Sequence, residues 1–185
     1  MLAGNIVRLE PLSFHHGPEL SEIGLEESLW EVASEKVDSA QQMTAYIARA
    51  LADGKTRAFA VRHLESGRLA GSTRYMNMEL PHRRLEIGAT WYGLEFQRTA
   101  VNTECKYLLL RQAFELMGMN RVELKTDLRN VRSQNAIRRI GAKEEGILRR
   151  HMITWSGYVR DTVYYSVIRE EWPAVKTHLE ELMAR

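Results

Sequence analysis

The 185-residue chain contains one cysteine, Cys105, so it cannot form an internal disulfide. A reducing, cytoplasmic location is therefore expected. No apolar run approaches the roughly 18 residues of a membrane span, which argues against a membrane protein. The opening MLAGNIVRLEPL alternates like a strand and lacks the apolar core of a secretory signal. Charge of one sign is scarce in excess: 26 Lys and Arg against 24 Asp and Glu give +2. That imbalance is too small to point to nucleic acid. The six histidines are scattered without ligand spacing, so no metal site is expected. Low-complexity segments, repeats and linkers are also missing. Residues 1–185 therefore read as one domain, long enough to bury a core.

What is present is a change of hydrophobic period along the chain. Ile6 to Leu12 reads as a strand, and the segment from Ser13 to Trp30 as weakly patterned helix. Asp38 or Ser39 caps a clearer helix with Met43, Ile47, Ala50 and Leu51 on one face, stopped by Gly54. TRAFAVRHLE, LAGSTRYMNMEL and RRLEIGATWY then alternate with period two, as an antiparallel meander. A helix from Asn102 to Met117 follows, with Tyr107, Leu110, Phe114 and Met117 as its core stripe and Gly118 as its stop. RVELKTDL returns to a strand, so strand, helix and strand make a parallel crossover. A short helix from Val131 to Ile140, two strand-like stretches and a helix with Pro173 in its first turn complete the chain. The predicted class is mixed α/β: a mostly antiparallel twisted sheet with one parallel crossover and flanking helices.

The link into the central helix, Gln97-Arg98-Thr99-Ala100-Val101-Asn102, is polar and has no glycine. Asn102 is expected as the N-cap, with Thr103 and Glu104 in the first turn. Unpaired amides there attract an anion, and Arg98 adds a cation. The plain alternative is a capped helix beside a surface arginine.

The ordered set "VRLEPL", "GSTRY", "LEIGATWY", "NTECKYLLLRQAFE", "RVELKTDLRNVRSQNAIRRIGAKEEGILR" and "RDTVYYSVIREEW" covers nearly the whole chain. It resembles the GNAT superfamily of acetyl-coenzyme A-dependent N-acetyltransferases, and most of all the branch that includes the ribosomal-protein N-terminal acetyltransferases. The resemblance implies a GNAT fold and acetyl-CoA as cosubstrate, with the pyrophosphate held at the loop signature Q/R-x-x-G-x-G/A. Gln97 matches that signature; Ala100 and Asn102 replace its small residues. Without glycine, the loop is expected to present its amides in ordinary conformations. The acceptor implied is a primary amine: a peptide N-terminus, an amino acid or a small polyamine-like molecule.

Acetyl transfer needs a neutral amine, a donor for the developing oxyanion and a proton for the thiolate. Glu86 lies inside a strand expected to be central, opposite the face of Leu85, Ile87 and Ala89. It reads either as a general base with its proton affinity raised by burial, or as a structural partner of Arg74, Arg83 or Arg84. The resemblance supports the base. By the same resemblance Asn130 contacts the pantetheine arm and Ser133 protonates the thiolate; otherwise both are cap residues. Asn135, Arg138 and Arg139 are placed toward the adenosine or 3′-phosphate, or on a solvated face. Trp91 and Tyr92 wall the pantetheine channel or belong to the core.

Arg149, Arg150 and His151 form a basic cluster, with His151 a second candidate base or part of an aggregation-limiting edge. A glutamate implicated in catalysis in the ribosomal branch is matched here by Met152. Cys105, taken to lie in the first helical turn, is read as packing rather than as a nucleophile. Two rival functions stay open: a non-catalytic CoA-binding or sensing module, and a ribosome- or RNA-binding protein using Arg129, Arg132, Arg138, Arg139, Arg149 and Arg150. The small net charge and the lack of an aromatic RNA-binding motif argue against the second. Exposed strands near the C-terminus leave a homodimer open.

Overall fold

The computed structural model describes residues 1–184. Its strands are β1 (Leu2–Ala3), β2 (Val7–Pro11), β3 (Arg57–His63), β4 (Leu69–Glu79), β5 (Arg84–Tyr92), β6 (Arg121–Asp127), β7 (Lys143–Ile153) and β8 (Val159–Ile168). They form one sheet in the order β1-β2-β3-β4-β5-β6-β8-β7. Every neighbouring pair is antiparallel except β5 and β6, which run parallel. The helices are α1 (Gly17–Gly24), α2 (Ala40–Ala52), α3 (Ala100–Arg111), α4 (Val131–Arg139) and α5 (Trp172–Met183). The class is mixed α/β, with the predicted crossover β5-α3-β6. No described helix is long and apolar enough to cross a membrane.

Alternation along the strands divides the core into two layers. Phe59 and Val61 on β3 join α3 and α5 residues such as Leu108, Leu109, Trp172 and Leu179. Ala60 between them joins Leu20, Met43, Ile47 and Trp30 from the α1 and α2 side. Each fully buried leucine here contributes roughly 2 kcal/mol of transfer free energy. The stripe on the central helix is as expected: Leu110 and Phe114 are buried, with Tyr107 and Met117 packed against the core. The helix itself differs from expectation, because α3 passes into a π-helical turn over Gln112–Leu116.

Two local features position the cleft. The first is the buried carboxylate of Glu104, which accepts the N–H groups of Asn5, Ile6 and Val7 at 2.9, 2.7 and 2.7 Å. It pins α3 to the start of β2, so the N-terminus of the helix is held in place. The second is a bulge in β5. Ser72 pairs with Trp91 and Arg74 with Gly88, so Thr73 of β4 opposes two residues of β5, Ala89 and Thr90, and Ala89 takes φ 46°. The extra residue inverts the alternation, and Tyr92 faces the same layer as Leu85 and Ile87. The ladder between β5 and β6 covers only Arg84, Leu85 and Glu86 against Arg121, Val122 and Glu123. Beyond Glu86 the two parallel strands separate.

Candidate active site

The separated strands open a cleft of about 960 Å³. Its lining comes from β5, β6, the starts of α3 and α4, and the segment Leu29 to Glu35 before α2. A cleft beyond the carboxyl ends of neighbouring parallel strands is the expected binding place in an α/β sheet.

One side of the cleft is built to hold an anion. Thr99, not Asn102, is the N-cap of α3: it is extended, and its hydroxyl accepts from the Val101 N–H at 3.3 Å. Asn102 is the third residue of the helix, so with the Val101 N–H taken by Thr99 the orphan amides belong to Ala100 and Asn102. The loop does not keep to ordinary conformations either. Arg98 has φ 62°, the left-handed region where a residue with a Cβ pays of order 1 kcal/mol. Gln97 anchors the loop at both ends, donating to the Tyr92 carbonyl at 3.0 Å and accepting from Arg132 at 2.9 Å. Arg139 donates to the Thr103 hydroxyl at 2.9 Å. Among the described residues, Arg98, Arg132 and Arg139 have no carboxylate partner, and all three line the cleft. Three guanidiniums without a described carboxylate partner around a helix N-terminus suit a multiply charged phosphate group.

Deeper in the cleft lies Glu86, 3% exposed. Its partners are not Arg74, Arg83 or Arg84. Lys125 on β6 meets it at 2.9 Å and the Asn77 amide donates to it at 2.8 Å. Gly88 makes room for it, since a Cβ there would lie 2.7 Å from Glu86 Oε1 and 2.9 Å from the Met76 sulfur. Ser133 sits in the first turn of α4, its N–H bonded to the side chain of the N-cap Asn130 at 3.0 Å. Its hydroxyl makes no hydrogen bond with the described residues and lines the cleft.

Residues 7–143 match the acetyltransferase (GNAT) domain family. The chain belongs to the GNAT acetyltransferases. A crystal structure of a GCN5-related N-acetyltransferase from Brucella melitensis superposes with a TM-score of 0.92 at 30% identity, covering 98% of this chain and 84% of that one. YdaF of Bacillus subtilis (strain 168), provisionally named a ribosomal N-acetyltransferase, is 34% identical over 113 residues. That match spans 61% of this chain and 61% of YdaF. Mycobacterium smegmatis RimJ, solved with CoA-disulfide, shares the fold with a TM-score of 0.80 at 20% identity, over 95% of this chain and 88% of its own. Acetyl-CoA is the acetyl donor of the GNAT family.

Against this GNAT frame the predicted site residues separate. Glu86, Trp91, Tyr92, Gln97, Arg98, Thr99, Ala100, Asn102, Thr103, Asn130 and Ser133 all line the cleft. Val101 is buried in the core, and only its backbone belongs to the turn. Asn135 and Arg138 fall outside the lining. Helical spacing puts Arg132, Ala136 and Arg139 on the cleft stripe and Val131, Asn135 and Arg138 on the other. Arg138 is instead paired with Glu144 at 2.7 Å.

His151 also lies outside the lining, bonded to Thr162 at 3.1 Å. Burial and the nearby Lys125 and Arg160 hold its pKa below the ordinary value. Cys105 lies in the second turn of α3 and is fully buried, which pushes its thiol up and removes the dipole argument. Five charged cleft residues were missed as site residues: Lys106, Lys125, Arg160, Arg132 (named only for the RNA-binding rival) and, beyond its possible pairing with Glu86, Arg74. A charged residue inside an apolar strand was the available signal for Arg74, since GSTRYM places it between Thr73 and Tyr75.

Proposed function

We propose that the protein transfers an acetyl group from acetyl-CoA to a primary amine. The observation that carries this reading is one cleft joining an anion-binding helix start to a buried, ion-paired carboxylate. The unpaired amides of α3 and the guanidiniums of Arg98, Arg132 and Arg139 would hold the CoA phosphates. Trp91, Tyr92 and Asn130 flank the opening between β5 and β6, where the pantetheine arm fits. When bound, acetyl-CoA supplies an acyl carbon activated as a thioester. Glu86 takes a proton from the acceptor amine, leaving nitrogen's lone pair free for direct attack, and Lys125 and Asn77 hold the carboxylate in position. The Ser133 hydroxyl, which lines the same cleft, would hydrogen-bond the departing sulfur. The exposed β7 edge, carrying Ile147, Leu148 and Ile153, supports pairing of two copies.

The test joins calorimetry to turnover. Acetyl-CoA is expected to bind in the micromolar range or tighter, and Glu86→Gln to lower kcat by about 100-fold, with acetyl-CoA affinity nearly unchanged. Absence of binding at millimolar acetyl-CoA refutes the donor site. Undiminished turnover in Glu86→Gln removes Glu86 as the base.

A further inference from the structure

A second group of cleft residues comes from elements other than those that carry the phosphate-binding features. Arg74 on β4, Arg160 on β8 and Met152 on β7 meet the segment Leu29 to Glu35 there. Arg160 donates to the Ser34 hydroxyl at 3.3 Å, and Ser34 donates to the Met152 sulfur at 3.6 Å. Arg74 is 7% exposed and Arg160 5% exposed. Both guanidiniums are short of acceptors. Arg74 Nε and Nη2 and Arg160 Nε are buried and donate to no described residue. The nearest carboxylate oxygen to Arg74 is on Glu35, at 3.9 Å, too far for a hydrogen bond. Glu35 is already bonded to Arg49 at 3.2 Å, and Glu86 to Lys125 and Asn77. Asp127, which bears electrostatically on Arg160, is bonded through both carboxylate oxygens to Arg129.

Burying a guanidinium costs several kcal/mol unless an anion and hydrogen bonds compensate it. Two such groups in one cleft, with Glu35, Glu86 and Asp127 engaged elsewhere, leave a place for an oxyanion brought by a ligand. A carboxylate matches the planar fork of an arginine better than any other small organic group. A polyamine would instead add positive charge beside two uncompensated cations.

Resting on the amine-acetylation reading above, we infer that the acceptor is an amine that also carries a carboxylate, held by Arg74 and Arg160. These two residues determine specificity and take no part in proton transfer.

The experiment uses the full chain with saturating acetyl-CoA. Free amino acids and peptides with acidic N-terminal residues are compared with their own carboxamides, their decarboxylated amines and spermidine. The best carboxylate-bearing acceptor is expected to exceed its carboxamide at least tenfold in kcat/KM. Arg74→Gln and Arg160→Gln are each expected to erase most of that ratio through KM. Their dissociation constants for acetyl-CoA, read by calorimetry, should stay within twofold of the wild type, which separates lost recognition from misfolding. Equal or better use of carboxamides or spermidine overturns the inference, as does a ratio that survives both substitutions. Binding of acetyl-CoA with no carboxylate-bearing amine acetylated overturns the inference alone. Failure to bind acetyl-CoA overturns the amine-acetylation reading with it.

Discussion

Arg62 and Arg74 stand on adjacent strands of one sheet, and both are largely removed from water. Their surroundings are opposite. Arg62 on β3 donates to Glu10 at 2.9 and 3.2 Å, to Glu19 at 3.1 Å and to the Gly67 carbonyl at 2.8 Å. Arg8 adds two bonds to Glu10, and His16 a third. On β4, the buried Nε and Nη2 of Arg74 donate to no described residue; its guanidinium lies over the Tyr46 ring at 4.1 Å. A cation whose needs are met inside the protein serves the fold. One left incomplete inside a cleft costs the fold free energy and is explained by a ligand.

The largest expected effect comes from breaking the satisfied side. Arg62→Met takes from Glu10, whose side chain is 14% exposed, and from Glu19 the cation that joins them, leaving Glu10 to Arg8 and His16, and should cost about 3 kcal/mol in urea unfolding at neutral pH. The acid limb should change as well. Burial pushes the Glu10 carboxyl up, and the bonds from Arg62, Arg8 and His16 outweigh it, bringing the group from its ordinary 4.5 down to about 2. Its stabilising contribution is therefore full above about pH 4.5 and is lost as pH falls through about 2. In Arg62→Met that loss should flatten. An unchanged acid limb would mean that Arg8 and His16 hold Glu10 without Arg62.

Lys106 tests the cleft side with an effect of opposite sign. It is 6% exposed, lines the cleft, and donates to Thr90 at 2.8 Å, with Thr73 next in the chain at 2.7 Å. Burial pulls its pKa from 10.5 down to about 8, with Cys105 opposing. Below pH 8 the folded protein carries the full cost of a buried ammonium. Between pH 8 and 10.5 only the unfolded chain keeps the proton, so stability rises with pH. Lys106→Met should thus be more stable than the wild type by about 2 kcal/mol at pH 7, after about 1 kcal/mol for the lost hydrogen bond. The advantage should disappear by about pH 10.5. Thermal melts across that range decide it, and a destabilised variant at pH 7 would place Lys106 with the satisfied cations.

The same contrast explains how much was legible in the sequence. Order and type of the main elements followed from period: Phe59, Ala60 and Val61 alternate between two layers as written, and β5-α3-β6 forms the predicted crossover. Glu86 was found because a carboxylate inside an apolar strand violates the pattern. Its partner Lys125 was not, because pairing across parallel strands depends on where the ladder ends. The bulge at Ala89 is equally silent, since no glycine marks the residue with positive φ. Thr99 took the cap from Asn102 because both residue types cap well, and only the backbone distinguishes them. Arg132 and Arg139 were separable from Arg138 once the helix start was fixed, since a shift of one residue turns a helix face by 100°.

Arg74→Met carries the smallest effect on stability and the sharpest consequence for the comparison. Methionine fills a similar volume against Tyr46 and removes an uncompensated charge, a gain for the fold. The substitution also forfeits the contact of the cation with the Tyr46 ring, about 1 kcal/mol, and the loose attraction of Glu35 at 3.9 Å. Gain and loss nearly cancel, so the unfolding free energy should move by less than about 1 kcal/mol in urea titration. A loss as large as that of Arg62→Met would show that Arg74 holds the fold together. Its missing hydrogen bonds would then say nothing about a ligand. A near-neutral result separates the two arginines by function, because a buried charge that the fold does not need is retained for what binds beside it.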